Sequence, residues 1–149
     1  MTQKAEFSVD LMGESTVTDV ARIAAACFSM PWSEGAYRRE LHNPQAITLV
    51  AASGDTVFGF VNCGFVAGEL TINALAVLQQ YRRMGIAKAL MQAVFAWTKE
   101  ICDVCYLEVR ESNLAAQALY KSLGFIQNGY RANYYEQPDE AAVLMMKTL

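Results

Sequence analysis

Histidine is almost absent from the chain, and cysteine is scarce. His42 is the single histidine among 149 residues, so no catalytic Cys-His pair is assigned. There are four cysteines, and only Cys102 and Cys105 have the two-residue gap of a redox or zinc motif. Without a second such pair, a four-ligand zinc site is not favoured. We therefore expect buried, reduced thiols and no metal.

Long apolar runs and excess positive charge are also missing. No run approaches the roughly 20 apolar residues that cross a bilayer, and Met1 to Val9 lack the apolar core of a secretory signal. The formal net charge of -3 gives no general attraction to nucleic acid or to an anionic membrane surface. We expect a cytoplasmic protein with no membrane or nucleic-acid partner, in which any phosphate site is local.

Apolar material for a core is plentiful. The hydrophobic fraction is 54% and the charged fraction 18%, which predicts a single domain over residues 1-149. Hydrophobic periodicity predicts the order β-α-α-β-β-β-α-β-α-β-β, an α+β fold class. The predicted strands are Phe7 to Leu11, Ala46 to Ala52, Val57 to Val66, Glu69 to Val77, Val104 to Val109, one from Phe125, and Ala142 to Lys147.

A loop and the short helix that follows it, near the start of the chain, form a candidate substrate wall. The pattern predicts a helix from Thr18 to Phe28 with Thr18 as its cap. The segment from Pro31 to Glu34 breaks that helix and offers Ser33 as the next cap. Trp32 in this loop and Tyr37 on the second helix are candidate substrate-binding residues.

The stretch Gln79 to Ala87 lies between a predicted strand and a helix running from Gly85 to about Glu100. Ile86, Leu90, Val94 and Trp97 would share that helix's apolar face. A loop that enters a helix leaves backbone N-H groups unpaired beside the positive end of the helix dipole. Local charge comes from Arg82 and Arg83. Taken alone, this pattern is also typical of a solvated helix start. It matches neither Gly-x-Gly-x-x-Gly nor Gly-x-x-x-x-Gly-Lys, which disfavours nicotinamide and ATP.

A second group of candidates follows the strand from Val104. Alternation places Tyr106, Glu108 and Arg110 on one face, with Glu108 near the strand's C-terminal end. On the next helix Asn113 and Tyr120 are two turns apart and share one face. Gly124 is predicted to end that helix. A strand-end glutamate is often a surface group, a helical tyrosine is often core packing, and Asn113 is also a good helix cap.

These motifs resemble the GNAT superfamily of N-acetyltransferases, most closely the RimI type. Arg82, Gly85 and Ala87 fill its Arg/Gln-x-x-Gly-x-Gly/Ala pattern, and the sequence from Leu107 through Phe125 resembles RimI-type enzymes. The resemblance implies a GNAT fold, with a mixed, mostly antiparallel, twisted sheet and helices on both faces. It implies acetyl-CoA as cosubstrate, with Glu108 as base through water and Tyr120 as acid toward the departing thiolate. The cofactor-binding residues implied are Leu75, Ala76, Val77, Arg82, Arg83, Met84, Gly85, Ile86, Ala87, Asn113 and Tyr120.

The resemblance implies transfer to a protein N-terminal amine, with a ribosomal protein as the expected acceptor. An α-amine has a pKa of about 7.7 to 8.0 against about 10.4 for lysine, so a modest base suffices. Trp32, Tyr37, Glu108, Tyr134 and Tyr135 are the predicted substrate contacts, although the tyrosines also suit the surface or core. The resemblance weakens at residues 136-141, where Glu136 and Gln137 precede Pro138. Alternatives are a small-molecule amine acetyltransferase, a non-catalytic acyl-CoA-binding module and, least favoured, a nucleic-acid binder.

Overall fold

A computed structural model describes residues 6-149, so the first five residues of the predicted domain lie outside the described part. Seven strands and four α-helices alternate in the predicted order, which is confirmed, with one added 3-10 turn at Gln79–Tyr81. The elements are β1 Ser8–Leu11, α1 Val17–Cys27, α2 Glu34–Glu40, β2 Ala46–Ser53, β3 Thr56–Val66, β4 Glu69–Val77, α3 Ile86–Thr98, β5 Val104–Arg110, α4 Leu114–Ser122, β6 Ile126–Tyr135 and β7 Glu140–Thr148.

The strands form one sheet in the order β1-β2-β3-β4-β5-β7-β6. Every neighbouring pair is antiparallel except β4 and β5, which are parallel and are joined through α3. The first four strands form a meander, the parallel crossover from β4 to β5 lies at the centre of the sheet, and the connection from β5 through α4 to β6 passes the position of β7. The predicted mixed, mostly antiparallel sheet is confirmed.

Two apolar clusters cover the two faces of the sheet. On one face, α1 and α2 pack side chains such as Ile23 and Tyr37 against Phe60. On the other face, α3 and α4 pack Leu90 and Tyr120 among residues of the central strands. Alternation along each strand supplies both clusters, since successive side chains point to opposite faces. Helices therefore lie on both faces, as predicted.

Two details of the helices differ from the sequence-based expectation. Thr16, rather than Thr18, occupies the position before α1, and its hydroxyl accepts a hydrogen bond from the backbone N-H of Gly13 at 3.0 Å. In α3, Trp97 is 55% exposed, whereas Thr98 is fully buried. The Thr98 hydroxyl donates to the carbonyl of Val94 at 2.9 Å, so this polar side chain can lie within the core.

Candidate active site

The parallel strands β4 and β5 separate halfway along their length. Their pairing runs from Glu69 with Val104 to Ile72 with Leu107. Beyond that point these two strands, both wholly described, no longer pair with each other. Each stays paired on its outer side, β4 with β3 and β5 with β7. The sheet therefore has a cleft at its centre, bordered by the second half of β4 and by the end of β5.

A β-bulge in β4 lies at the point of separation. The register skips from Ile72 opposite Cys63 to Ala74 opposite Asn62, so Asn73 is the extra residue. The Asn73 amide donates to the Asn62 side-chain oxygen at 3.0 Å, and Asn62 donates to the Thr48 hydroxyl at 2.8 Å. Asn62 is fully buried, and this chain of hydrogen bonds satisfies it. The bulge is thus held by side chains from three adjacent strands.

The loop after β4 presents backbone N-H groups at the start of α3. Gly85 occupies the position before the helix with φ 77°, and Arg83 also has a left-handed φ of 68°. Within residues 6-149, no backbone acceptor binds the N-H groups from Arg83 to Lys88. The Arg82 guanidinium donates through Nε to the carbonyl of Val77 at 3.1 Å, which fixes the loop to the end of β4. Unpaired N-H groups at a helix start suit an anionic phosphate.

Some of the predicted cofactor residues can meet a ligand only through their backbone, and others through their side chains as well. Ile86, Ala76 and Val77 have buried side chains, so only their backbone groups can meet a ligand. Arg82 and Arg83 are exposed at the loop. The structure brings this set together along the edge of the cleft and at the start of α3.

Glu108 is exposed on the face of β5 that carries Tyr106 and Arg110, while Leu107 and Val109 are buried on the other. It lies near the two tyrosines at the end of β6. The pKa of Tyr134 is raised mainly by interaction with the Glu108 carboxylate, and to a smaller extent by partial burial. The pKa of Tyr135 is raised to about 12, mainly by burial and to a smaller extent by the charge of Glu108. The predicted base and the predicted tyrosine contacts therefore form one group.

Tyr120 and Asn113 lie on α4, as predicted. The Asn113 side-chain oxygen caps the helix by accepting the N-H of Ala116 at 3.1 Å, which leaves its amide N-H groups for another partner. Tyr120 is 7% exposed, and its ring meets Phe125 edge to face with centroids 5.7 Å apart. Burial, followed by the proximity of Tyr135, raises the pKa of Tyr120 above its ordinary value. Tyr135 thus lies near both Glu108 and Tyr120.

The predicted substrate wall is split between surface and core. Trp32 is 41% exposed, but Tyr37 is 1% exposed and packs between Trp32 and Phe60 with ring centroids 5.3 and 5.4 Å away. Tyr37 supports Trp32 from beneath and does not form an open surface. An open pocket of about 360 Å³ lies beside Trp32, lined also by Ala36, Arg39, Glu40 and Asn43. These lining residues all come from α2 and its flanks. Neither Glu108 nor Tyr120 lines this pocket.

Sequence reasoning assigned no role to Arg110 or to the bulge residues. Asn62 is an isolated polar side chain inside an apolar strand, which signals a buried partner. Arg110 shares the face of Glu108, and its guanidinium lies 4.5 Å from the centre of the Tyr135 ring. Which partners these side chains have depends on segments distant in sequence, so no local pattern specifies them.

One of the four thiols reaches the edge of this site, since Cys27 Sγ lies 3.7 Å from the carbonyl of Val77 and donates to it. Cys63, Cys102 and Cys105 are buried and Cys27 is partly buried, all in the free form. Burial raises the pKa of Cys105 to about 12, which disfavours the reactive thiolate. Among residues 6-149, no three or more His, Cys, Asp or Glu side chains are grouped to hold a metal ion. No helix in this part of the chain combines the length and apolarity of a membrane span.

Comparison with known proteins agrees with this geometry. Residues 17-125 match the model of the acetyltransferase (GNAT) family. The chain is 34% identical over 143 residues to the [ribosomal protein bS18]-alanine N-acetyltransferase of Haemophilus ducreyi, covering 92% of this chain and 97% of that protein. It is 32% identical over 121 residues to the N-alpha-acetyltransferase RimI of Mycobacterium tuberculosis, covering 78% and 75% of the two chains.

A solved structure shares this fold over nearly the whole chain. The crystal structure of the ribosomal-protein-S18-alanine N-acetyltransferase from Escherichia coli superposes with a TM-score of 0.87 at 27% identity, covering 96% of this chain and 94% of that one. The family model matches most of the sequence and supports the family, while the solved structure supports the fold. The chain belongs to the GNAT family and is an acetyl-CoA-dependent N-acetyltransferase.

Proposed function

We propose that this enzyme acetylates the N-terminal α-amine of a protein, with a ribosomal protein of the bS18 kind as the acceptor. The observation that carries the proposal is the placement of Glu108. This carboxylate is exposed beside the central cleft, next to Tyr134 and Tyr135, where an acceptor and a thioester could meet. The relatives from Haemophilus ducreyi and Mycobacterium tuberculosis, whose names specify alanine or α-amine acetylation, support this acceptor class.

Acetyl-CoA would bind along β4 and the start of α3. The N-H groups from Arg83 to Ala87, which have no backbone acceptor in the described chain, would receive the pyrophosphate, assisted by the helix dipole and by the two arginines. The backbone of Leu75 to Val77, which lacks a β5 partner within the described chain, offers an edge for the pantetheine arm. The free amide N-H groups of Asn113 add a donor from the other side of the cleft.

The transfer itself would be a direct attack. The amine nitrogen forms the new C-N bond to the acetyl carbon, and the C-S bond to coenzyme A breaks. Glu108 accepts the proton released by the amine, through a water molecule, and Tyr120 donates a proton to the departing thiolate. A tyrosine whose pKa is raised by burial holds that proton at neutral pH. Positioning the two reactants in one cleft supplies much of the acceleration.

The carboxylate and the acceptor are matched in strength. An α-amine with a pKa of about 7.7 to 8.0 is partly neutral near pH 7, whereas a lysine with a pKa of about 10.4 is almost fully charged. A single glutamate acting through water therefore suits an α-amine. Tyr134 and Tyr135 provide partly exposed aromatic surface near Glu108 on which the first residues of a peptide can pack. Trp32 is a further exposed aromatic side chain, in the loop that Ser29 joins to Arg110.

A small-molecule amine is the second candidate acceptor. It is favoured by the segment that joins β6 and β7, which departs from the RimI pattern and lies against Arg110 beside the site. A different β6–β7 segment would change which acceptor is selected and leave the cofactor site intact.

The first test is thiol release from acetyl-CoA with three sets of acceptors. These are peptides with free N-termini, including one that begins with alanine, the same peptides with blocked N-termini and an internal lysine, and small amines. We expect turnover with free N-termini alone and the highest kcat/KM for the alanine peptide. Turnover confined to small amines would establish the second candidate. Cofactor binding without turnover of any acceptor would contradict both.

A further inference from the structure

The Arg110 guanidinium forms hydrogen bonds to several segments of the chain beside the cleft. It ends β5 two residues after Glu108, on the same face. One terminal nitrogen of the guanidinium donates to the carbonyl of Pro138 at 2.9 Å and lies 3.4 Å from the Glu140 carboxylate. The other donates to the carbonyl of Glu136 at 2.9 Å and to the Ser29 hydroxyl at 3.1 Å.

These partners belong to two loops that are distant in sequence. Ser29 lies between α1 and α2, in the connection that also carries Trp32. Glu136 and Pro138 lie in the turn between β6 and β7, directly after the two tyrosines. Only through Arg110 does a side-chain hydrogen bond join these two loops within residues 6-149. The guanidinium fork is suited to this task, because its donors have fixed directions and can serve several acceptors together.

The surroundings hold Arg110 in one orientation. Its side chain is 25% exposed and that of Glu140 16%, so the ion pair is shielded from most of the solvent. The second Glu140 oxygen accepts the backbone N-H of Ser112 at 2.6 Å, which ties the pair to the segment that leads into α4. The ring of Tyr135 packs against the guanidinium at 4.5 Å. Four segments of the chain therefore meet at one side chain.

We propose that Arg110 is a positioning residue that fastens the α1–α2 loop and the β6–β7 turn to β5, and so shapes the opening through which the acceptor reaches Glu108. The inference rests on the proposed function only in assigning that opening to the acceptor. Ordering both loops before binding lowers the entropy lost when the acceptor arrives, so Arg110 acts on acceptor affinity and selectivity. Among the described residues, no hydrogen bond joins Arg110 or its partners to the loop of residues 79-87, the proposed phosphate loop.

The test uses Arg110→Lys, which keeps the charge but offers one compact ammonium in place of the fork. We expect the acceptor KM to rise about tenfold, while the acetyl-CoA KM and the kcat at saturating acceptor change by less than about twofold. Amide hydrogen exchange should accelerate in residues 28-33 and 136-140. The control Arg22→Lys alters an arginine that pairs with Asp19 on α1, and it should leave all four measurements unchanged.

Ser29→Ala separates the two halves of the connection. It removes only the bond to the first loop, so exchange should accelerate in residues 28-33 and remain slow in 136-140. Wild-type exchange rates in both loops of Arg110→Lys would overturn the proposal, as would an equal loss of kcat and of affinity for both substrates. Hydrogen exchange requires no acceptor. If no peptide is a substrate, the proposed function fails. The exchange rates still confirm or refute the role of Arg110 in fastening the two loops to β5.

Discussion

Tyr120, the proposed acid, is also a core residue. Its ring packs in the larger apolar cluster, and its raised pKa keeps the hydroxyl protonated. We expect Tyr120→Phe to lower kcat about 100-fold, because the thiolate would then leave without an acid, and to leave the acetyl-CoA affinity nearly unchanged. Steady-state kinetics with thiol detection measure the change. The matched control is Tyr130→Phe, which removes a hydroxyl that bonds Glu111; full activity of Tyr120→Phe would show that the tyrosine is structural.

Glu108 should matter most where the acceptor is still protonated. We expect Glu108→Gln to lower kcat/KM about 100-fold near pH 7, and the deficit to shrink as the pH rises past about 8, because an α-amine then loses its proton without help. A pH series of kcat/KM for both enzymes measures this. Glu100→Gln, on an exposed residue after α3, serves as the control. A deficit that stays constant across the series would argue against the base.

Single residues also show where a local pattern is ambiguous. Both Trp97 and Thr98 suit the end of α3 by spacing, and hydrophobicity favours the tryptophan as the buried one. The structure buries the threonine, because the helix packs on the sheet along Leu90, Val94 and Thr98, and the hydroxyl finds a backbone acceptor. Tyr37 likewise appears from its sequence as a surface candidate, yet it is enclosed by Trp32 and Phe60. In both places the direction in which the helix packs on the sheet decides which side chain is buried.

Glu140, the first residue of β7, provides an electrostatic prediction for an element. Hydrogen bonds from Ser112, with the Arg110 guanidinium as a further cause, hold the pKa of Glu140 below the ordinary value of a glutamate. A carboxyl whose pKa is lowered by folding stabilises the native state above the unfolded pKa, and the stabilisation disappears as the pH falls through the folded pKa. Glu140→Gln should therefore be less stable than the wild type at neutral pH, and this difference should diminish below about pH 4.5.

Urea unfolding at a series of pH values measures that difference. Glu136→Gln is the matched control from the same turn, since Arg110 binds its backbone carbonyl and not its carboxylate. A stability gap between wild type and Glu140→Gln that persists unchanged at low pH would mean that the lost interaction is not electrostatic.

Close contact between elements also explains a glycine that no sequence motif singled out. A Cβ at Gly59 would stand 2.5 Å from the carbonyl oxygen of Ala76, so β3 and β4 can approach this closely only at a glycine. The contact lies where β4 has parted from β5. Gly85 was singled out, and its left-handed φ of 77° agrees with the need for a residue without a side chain at the start of α3.

At the scale of the molecule, binding of coenzyme A should stabilise the native state, because the ligand would contact β4, the loop of residues 79-87 and α4 together. A ligand along β4, the phosphate loop and α4 stabilises only the native state, by about 2.7 kcal/mol at a concentration of 100 times Kd. For a chain of this size we expect Tm to rise by several degrees, at about 2–4 °C per kcal/mol. Amide exchange should slow most at residues 83-88. A rise in Tm without protection there would move the pyrophosphate away from the loop.

The sequence by itself determined the order of the elements and placed most of their boundaries within about two residues, because capping residues, turn glycines and hydrophobic periods act over a few neighbouring positions. It also indicated the phosphate loop and Glu108, since a helix start and a strand end are local features. Tertiary structure alone decided the separation of β4 from β5, the burial of Tyr37 and the partners of Arg110. The bond from Arg110 to Ser29 spans 81 positions. Such a contact depends on how the whole sheet brings distant segments together, which no short pattern encodes.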